Sequence, residues 1–191
     1  MKDNMKRCWE TNNPLYIRYH DEEWGVHIHD DNRLFEFLAL GGFQAGLTWE
    51  LILNKRENFR RAFDNFDPNI IARYTNKKVD LLMANKGIIR NKAKIEATIH
   101  NAKQVLRIKE NYGSFSSFIW RFSPENQAEN CLKDFSELPT QSKESRAMSR
   151  DLKNHGFKFV GPTMCYAFMQ AVGLVNDHLI HCFRRSQIEK R

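Results

Sequence analysis

Two Cys/His pairs, one near each end of the chain, constrain the fold more than any other feature of the sequence. Cys8 and His20 form the first pair, and His178 and Cys182 form the second. Thiolate and imidazole ligands suit zinc better than calcium or magnesium, and Cys2His2 is a common zinc set. One ion bound by all four side chains would bring the two ends of the chain together. The residue types leave a second interpretation open, in which both cysteines are small buried thiols and the histidines are surface or capping residues.

The spacing within each pair predicts different local structure. His178 and Cys182 stand at positions i and i+4, which predicts that both side chains share one face of a helix. Eleven residues separate Cys8 from His20, a looser spacing than the two-residue gap of a zinc finger. Spacing alone therefore leaves the zinc site and the buried thiols equally open.

Composition indicates a globular protein with one hydrophobic core. Of the 191 residues, 41% are hydrophobic, which is enough for a single core that is shared by two lobes. No apolar run approaches the ~18 residues of a membrane span, and the opening MKDNMKRCWETNN is too polar for a signal peptide. We therefore expect a protein of the cytoplasm with no membrane partner.

The charge balance favours a polyanionic partner. The net charge is +7 and the isoelectric point is about 9.3, and such proteins bind nucleic acid through phosphate contacts and counterion release. This indication is weak by itself, because most of the 30 Lys and Arg residues are expected on solvated faces. The remaining cysteines, Cys131 and Cys165, are interpreted as structural thiols, because a reducing compartment disfavours disulfides.

Apolar residues recur at helical spacing along most of the chain, whereas strand patterns are nearly absent. The clearest helix is predicted over 91–112, and another is predicted over 33–40, with Asp30 or Asp31 as its N-cap and Gly41-Gly42 as its end. Further helices are predicted over 49–63, 68–73, 77–84, 114–120, 143–154 and 162–172. The segment 122–142 contains two prolines and is predicted to be irregular. The fold class is therefore all-α.

A short apolar turn lies between the last two of these predicted helices. Gly156 and Gly161 bracket Phe157-Lys158-Phe159-Val160, and Pro162 follows at once. This layout is typical of a helix-hairpin-helix element, whose glycines allow a tight turn and whose following helix directs N–H groups at a DNA phosphate. Lys158 would add a positive charge. A plain connection between two helices stays open as the alternative.

Five blocks of sequence, taken together, closely resemble the bacterial 3-methyladenine DNA glycosylase I family. They are PLYIRYHDEEWGV (14–26), FQAGLTW (43–49), KRENFR (55–60), GIIRN (87–91) and the segment 156–178. They occur in the order of the family and cover nearly the whole chain. The resemblance implies a helix-hairpin-helix DNA glycosylase fold, as a single unit over 1–191. It implies a central helical lobe over about 30–120 and a second lobe built from about 1–29 and 121–191, with the hairpin at 156–161.

The resemblance also implies which residues bind the metal ion and which residues line the pocket for the damaged base. It implies one structural Zn²⁺ on Cys8, His20, His178 and Cys182, which joins the N- and C-terminal segments. It implies a base pocket lined by Tyr16, Tyr19, Trp49, Trp9 and Trp24. An adenine methylated at N3 is cationic and stacks on such rings with a cation–π energy of about 0.5–2 kcal/mol. Trp9 follows Cys8 directly where the family usually has one more residue, and core packing is an equal alternative for Trp24.

The contacts implied with double-stranded DNA lie in two places. Leu47 matches the apolar plug that fills the gap left by a flipped base, and Gln44 lies beside it. Gly156, Lys158 and Gly161 match the DNA-binding hairpin. From the residue type alone, Leu47 would be a core residue.

The implied reaction is the hydrolysis of the N-glycosidic bond of alkylated adenine in DNA, the first step of base excision repair. A cationic base is a good leaving group, and no lysine stands out as a Schiff-base nucleophile. We therefore expect a monofunctional, monomeric enzyme that leaves an abasic site without cleaving the strand.

One position departs from the pattern of the family. The family has a glutamate that holds the base edge immediately before the glycine matching Gly42, and this chain has Gly41 there. A charged hydrogen bond of this type is worth about 1.5–3 kcal/mol, so recognition of 3-methyladenine is expected to be weaker. Glu36 and Glu50 occupy no obvious replacement position. No catalytic residue is assigned.

Asp177 lies near the position of the catalytic aspartate of other helix-hairpin-helix glycosylases, and a capping or buried hydrogen-bonding residue is the favoured of the two interpretations. Three functions then stay open. The chain is an active glycosylase with a loosened pocket, a non-catalytic or altered-specificity protein that binds DNA lesions, or a zinc-bound helical protein that acts on another base or on RNA.

Overall fold

Helices are the regular elements of the residues that the computed structural model describes, which are 6–124 and 131–189. They are α1 (Pro14–Arg18), a π-helical turn (Tyr19–Glu23), α2 (Asp31–Gln44), α3 (Trp49–Ala62), α4 (Pro68–Ile71), α5 (Asn76–Ala84), α6 (Lys92–Tyr112), α7 (Phe115–Trp120), α8 (Lys143–Asn154), α9 (Pro162–Val172) and α10 (Phe183–Glu189). Short 3-10 turns occupy Asp64–Phe66 and Phe135–Glu137. The prediction of an all-α fold is confirmed.

Polar caps fix most of the helix starts that the sequence predicts. Asp30 caps α2 by accepting from the Arg33 amide at 2.8 Å, and Asn91 caps α6 by accepting from Lys94 N at 3.1 Å. Ser142 opens α8 with a capping box to Ser145. Each cap satisfies an amide that would otherwise lack a partner in the first turn. The predicted helices over 91–112, 143–154 and 162–172 are therefore observed with bounds that differ by one residue or less.

The predicted end of α2 at Gly41-Gly42 is wrong. The helix continues through both glycines to Gln44. Leu40 and Phe43 on this last turn are fully buried, and their burial is worth about 1.5–3 kcal/mol each. This exceeds the ~1 kcal/mol that each glycine costs inside a helix.

The prediction of a helix that carries both His178 and Cys182 is also wrong. Gly173, with φ +83°, ends α9, and α10 begins only at Phe183. The intervening segment is irregular and ends in a turn, in which the Cys182 amide donates to Leu179 O at 2.8 Å. A turn brings these two side chains together as effectively as a helix would.

Helix α2 forms the centre of the core. It packs against α9, α6, α3 and α7, and its buried residues face several directions around its axis, as expected for a helix enclosed by others. The 14 residues of α2 also carry Phe37, Gly41 and Gln44, which reappear in the cavity described below. The division of the chain into two lobes stays a prediction.

Backbone hydrogen bonds join the N-terminal segment to the C-terminal one. Gly25 N donates to Gln170 O at 3.1 Å, Ile28 N to Val172 O at 3.1 Å, and Phe183 N to Lys6 O at 3.2 Å. Gly173 lies so close to this contact that an added Cβ would stand 2.6 Å from the carbonyl carbon of Val26. Only glycine fits there.

Three smaller predictions concern the rest of the chain. Cys165 is buried as a structural thiol would be, whereas Cys131 is exposed. Residues 125–130 of the segment predicted to be irregular lie outside the described residues, and its remainder contains the 3-10 turn at Phe135–Glu137. None of the described helices is both long enough and apolar enough to cross a membrane.

Candidate functional site: an aromatic cavity beside a Cys/His cluster

A cavity of about 390 Å³ opens between the N-terminal segment, α2 and α9. This size lies within the ~300–1,000 Å³ typical of small-molecule sites. We call it the aromatic cavity; it is lined by Trp9, Tyr16, Tyr19, Trp24, Phe37, Gly41, Gln44, Trp49, Phe135, Leu138, Ala167, Phe168, Gln170 and Ala171. The five residues predicted to line the base pocket are among them, together with Gly41 and Gln44.

Four short elements place these rings around one space. Tyr16 lies on α1, Tyr19 opens the π-helical turn, Phe37 lies on α2 and Trp49 begins α3. The π-helical turn places both Tyr19 and His20 in the interior, so that Tyr19 lines the cavity and His20 joins the Cys/His cluster. Such turns are rare and occur frequently at functional sites.

The rings contact one another and form continuous walls. Trp9 lies 5.1 Å from Tyr16 and 5.1 Å from Trp24 between ring centroids. On the other side, Tyr19 lies 5.5 Å from Trp49. Tyr19 and Trp24 are buried while lining the cavity, so Trp24 serves both core packing and the cavity wall. Aromatic faces carry partial negative charge, so this cavity favours a flat cationic ligand.

The aromatic cavity contains few polar groups, and none of the described residues that line it has a carboxylate. Burial raises the pKa of Tyr19 and of Tyr16, so both hydroxyls stay neutral. The indole Nε1 of Trp9 is buried and has no hydrogen-bond partner among the described residues. An orphan donor of this kind is costly unless a ligand or water completes it.

Gly41 lines the cavity, and Met164, which does not line it, occupies the space beside the glycine where a side chain would begin. A Cβ added at Gly41 would stand 3.0 Å from Met164 Sδ. Neither nearby glutamate replaces the missing carboxylate. Glu36 is 3% exposed and bonded to Arg56 and Arg60, and Glu50 accepts from Asn13 Nδ2 at 2.7 Å.

Asp177 is buried behind the cavity wall. Its Oδ2 accepts from Tyr166 Oη at 2.7 Å and from Gln170 Nε2 at 2.8 Å. Gln170 lines the cavity, whereas Asp177 does not. Its interpretation as a buried hydrogen-bonding residue is confirmed.

Sequence reasoning missed several residues of the wall. Phe37 lies one helical turn before Gly41, so the shared face of α2 could have revealed it. Phe135 follows an irregular segment, where no periodic pattern exists to predict its place. This residue is 40% exposed, and its ring is 6.4 Å from Trp24 and 5.5 Å from Trp9. Gln170 is not predicted because it lies on α9, whose apolar sequence indicates a helix of the core.

The Cys/His cluster lies directly behind the aromatic cavity. The ligand atoms of Cys8, His20, His178 and Cys182 all lie within 4.8 Å of one another, and all four residues are buried. Cys182 Sγ is 3.4 Å from His20 Nε2 and 3.4 Å from His178 Nδ1, and Cys8 Sγ is 3.3 Å from His178 Nδ1. Tetrahedral zinc, with ~2.3 Å to sulfur and ~2.0–2.1 Å to nitrogen, would separate such atoms by about 3.5 Å. The donor set and its dimensions fit a metal ion.

The outer contacts of the cluster orient its histidines. His20 Nδ1 lies 2.7 Å from Asp21 Oδ1, and Asp21 is itself bonded to Arg7. His178 Nε2 lies 3.0 Å from Trp24 O. Metal-bound histidines usually donate their second N–H in this way. The cluster also supports the cavity, because the Trp9 ring packs edge-on against His20 at 4.6 Å and Trp24 against His178 at 4.5 Å.

The residues predicted to contact DNA lie on two surface turns. Leu47 is 38% exposed, so it is not the core residue that its type alone would indicate. At the hairpin, Gly156 has φ +85°, and Lys158 is exposed. Gly161 has an ordinary φ of −66° and nothing within 4 Å of an added Cβ. The tight turn therefore depends on Gly156, while Gly161 leaves open space before α9.

Comparison with known proteins places these features in one family. The sequence model described as methyladenine glycosylase matches residues 9–185. DNA-3-methyladenine glycosylase 1 of Escherichia coli (strain K12) is 47% identical over 179 residues, which cover 93% of this chain and 96% of that protein. DNA-3-methyladenine glycosylase of Haemophilus influenzae is 46% identical over 177 residues, covering 92% and 96%.

Solved structures agree with the sequence relatives. A crystal structure of 3-methyladenine DNA glycosylase I matches with a TM-score of 0.89 and 47% identity, covering 93% of this chain and 98% of that one. The Staphylococcus aureus 3-methyladenine DNA glycosylase I, in a study of 3-methyladenine recognition, matches with a TM-score of 0.90 and 36% identity, covering 95% and 97%.

Proposed function

Because this chain belongs to the methyladenine glycosylase family, we propose that it is a DNA-3-methyladenine glycosylase, which releases alkylated adenine from DNA and leaves an abasic site. The observation that carries the proposal is the aromatic cavity, in which eight aromatic residues surround a space of about 390 Å³ and no charged residue stands among the described lining. A flipped, cationic base is the ligand that such a cavity selects. No feature of the described residues favours the alternative of a non-catalytic binding protein.

The proposed reaction needs little acid catalysis. Water attacks C1′ of the sugar, the C1′–N9 bond breaks, and its electron pair neutralises the positive charge of the methylated base. The water proton passes to solvent. None of the described lining residues is a lysine, which supports hydrolysis over a Schiff-base mechanism with strand cleavage. The chief task of the protein is then to hold the base outside the helix, where stacking favours the cation.

Two surface turns hold the DNA in this proposal. Leu47 fills the gap left by the flipped base and offsets the lost stacking. Gln44 reaches both the cavity and the same turn, because it lies at the end of α2. Gly156, Lys158 and Gly161 bind the phosphate backbone, since the space before α9 allows a close approach.

The Cys/His cluster holds one structural Zn²⁺ in this proposal. Cys8, His20, His178 and Cys182 provide the whole tetrahedral set, so no position stays open for a reacting water. Zinc bound there stabilises the joined N- and C-terminal segments and the ring positions of Trp9 and Trp24, which pack on its ligands.

Release of free base tests the proposed activity. The purified protein is incubated with methylated duplex DNA, and the released bases are separated by chromatography. We expect 3-methyladenine to accumulate and abasic sites to appear in equal amount, without strand breaks until alkali is added. Release no greater than that of the heat-denatured protein would overturn the proposal.

A further inference from the structure

Leu47 is presented by a type II β-turn that spans Gln44–Leu47. Leu47 N donates to Gln44 O at 2.6 Å. Ala45 has φ −48° and ψ 115°, and Gly46 has φ +80°. These angles define type II, which requires a positive φ at its third residue and therefore favours glycine there.

Lys94, on the neighbouring helix α6, donates hydrogen bonds to backbone carbonyls at this turn and just before it. Its Nζ donates to Phe43 O at 2.8 Å and to Ala45 O at 2.6 Å. The residue is 9% exposed, and burial lowers its pKa. Two of its three N–H donors are thus used on backbone carbonyls, and only a small part of the side chain reaches solvent.

The second of these carbonyls decides the type of the turn. Types I and II differ in the orientation of the central peptide, whose carbonyl here is that of Ala45. In a type I turn this carbonyl faces the opposite side of the turn, away from the position that Lys94 Nζ occupies. A charged donor at 2.6 Å therefore favours the type II orientation.

We propose that Lys94 is a positioning residue, which fixes the type II turn so that Leu47 stays exposed and ready to enter the DNA gap. The inference rests on the proposed function, because it assigns Leu47 the role of plug. Lys94 would otherwise be classed with the basic residues that bind phosphates. Its two carbonyl partners and its burial separate it from them.

Helix α6 offers a matched control on the same face, two turns further along. Asn101 Nδ2 donates to Lys158 O at 2.9 Å, and Lys158 N donates to Asn101 Oδ1 at 2.8 Å. Asn101 thus holds the hairpin as Lys94 holds the turn of Leu47. Substituting Asn101 disturbs DNA binding without touching the plug.

A double-mutant cycle tests the proposal on a readout that needs no catalysis. The affinity for a duplex with a tetrahydrofuran abasic analogue is divided by the affinity for the undamaged duplex, at one salt concentration. We expect Lys94→Met and Leu47→Ala each to lower this ratio about tenfold, and the double variant to lower it no further than Leu47→Ala alone, because coupled residues are not additive. Asn101→Ala should instead weaken binding of both duplexes alike, so the ratio should stay at the parent value in Asn101→Ala and at the Leu47→Ala value in the combined variant.

Two further measurements test the proposal without relying on the affinity ratio of Lys94→Met alone. They are the salt dependence of DNA binding and the affinity ratio of a second variant. Lys94→Met should leave the salt slope of DNA binding unchanged, whereas loss of a phosphate contact lowers that slope by about one. Gly46→Ala acts on the same turn, since its Cβ meets no atom within 4 Å but strains the positive φ. It should lower the affinity ratio as much as Lys94→Met is expected to lower it. Gly46→Ala can therefore replace Lys94→Met if that variant fails to fold.

Failure of this inference differs from failure of the proposed function. If the parent protein prefers the abasic duplex but the losses of Lys94→Met and Leu47→Ala multiply, only the role of Lys94 is overturned. A salt slope reduced by Lys94→Met has the same meaning. If the parent shows no preference for the abasic duplex, the plug role of Leu47 and the inference built on it both fall.

Discussion

The Cys/His cluster and the aromatic cavity are adjacent and differ in one respect. The cluster has every residue that its proposed role requires, whereas the cavity lacks one. The cluster has four buried ligands, and both histidines have an outer partner. The cavity has its rings, but its wall has glycine at the position where the family has the glutamate that holds the base edge. A metal site depends on a fixed set of donors, whereas stacking tolerates the loss of one polar contact. The comparison therefore predicts that replacing a residue of the cluster affects the whole fold, and that replacing a residue of the cavity lining affects chiefly recognition.

Replacing Cys182 by alanine should have the largest effect. We expect the variant to lose its zinc and to lower the free energy of unfolding by about 3 kcal/mol or more, because binding energy at structural zinc sites, ~10–16 kcal/mol in small peptides, is folding energy. Metal content by mass spectrometry and urea denaturation measure both. Cys131→Ala removes an exposed thiol outside the cluster and should change neither quantity. Stoichiometric zinc and unchanged stability in Cys182→Ala would refute the zinc assignment.

Arg56→Met tests whether the cavity has structural support of its own. Arg56 bonds to Glu36 on α2 and, at 2.7 Å, to Glu23 on the π-helical turn, so it ties together elements that carry Phe37, Tyr19 and Trp49. Its side chain is 5% exposed and that of Glu36 is 4% exposed. We expect a loss of about 3 kcal/mol in the free energy of unfolding, because the removal of one partner leaves the other charge buried with fewer partners.

The exposed pair of Arg18 and Glu22 is the matched control for this variant. Their side chains are 69% and 60% exposed, so Arg18→Met should leave the free energy of unfolding close to that of the parent. Zinc content should stay complete in both variants. An Arg56→Met protein as stable as the Arg18→Met protein would show that the ion pairs do not support the cavity.

Placing a carboxylate at Gly41 should improve recognition of the damaged base in the cavity. The variant Gly41→Glu, made together with Met164→Ala to clear the contact at 3.0 Å, should release 3-methyladenine about 10- to 100-fold faster under subsaturating conditions. A charged hydrogen bond to the base is worth about 1.5–3 kcal/mol. The single variant Met164→Ala is the control and should not gain activity. A rate equal to that of Met164→Ala would mean that the wall differs from the family elsewhere.

Trp49→Leu should have the smallest of these effects. It keeps apolar volume but removes an aromatic face, so release of the cationic base should slow by roughly 2- to 30-fold, the equivalent of about 0.5–2 kcal/mol. Binding of the neutral nucleoside should weaken less than binding of the N3-methylated nucleoside, whose base is cationic while it is bonded to the sugar. Trp120 stacks on His29 at 4.5 Å and does not line the cavity, so Trp120→Leu should retain the parent rate wherever it is folded. Equal losses for the two nucleosides would argue against recognition of charge by stacking.

The cluster and most of the cavity could be predicted from the sequence, but only through the resemblance to the family. Thiols and imidazoles at the two ends of the chain left a shared site and separate buried thiols equally open, and the ordered blocks of the family decided between them. Tyr16, Tyr19 and Trp49 are placed by ordered blocks that few other folds share. Residue type alone leaves Leu47 ambiguous, because an exposed leucine on a turn looks in sequence like a core residue.

Other features depend on tertiary structure. The continuation of α2 through Gly41 and Gly42 depends on burial of Leu40 and Phe43, which outweighs a poor local propensity. Phe135 reaches the cavity from an irregular segment, where spacing carries no signal. The contact of Lys94 with two carbonyls joins residues about 50 positions apart in sequence, and a lysine on a basic helix gives no indication of it.

Single-turnover release of 3-methyladenine from methylated duplex DNA tests the central claim most directly. With the parent protein in excess, we predict release of 3-methyladenine far above the heat-denatured control, at a rate that rises in Gly41→Glu with Met164→Ala and falls in Trp49→Leu. Parent protein that is fully loaded with zinc, binds the abasic duplex and yet releases no 3-methyladenine would contradict the account.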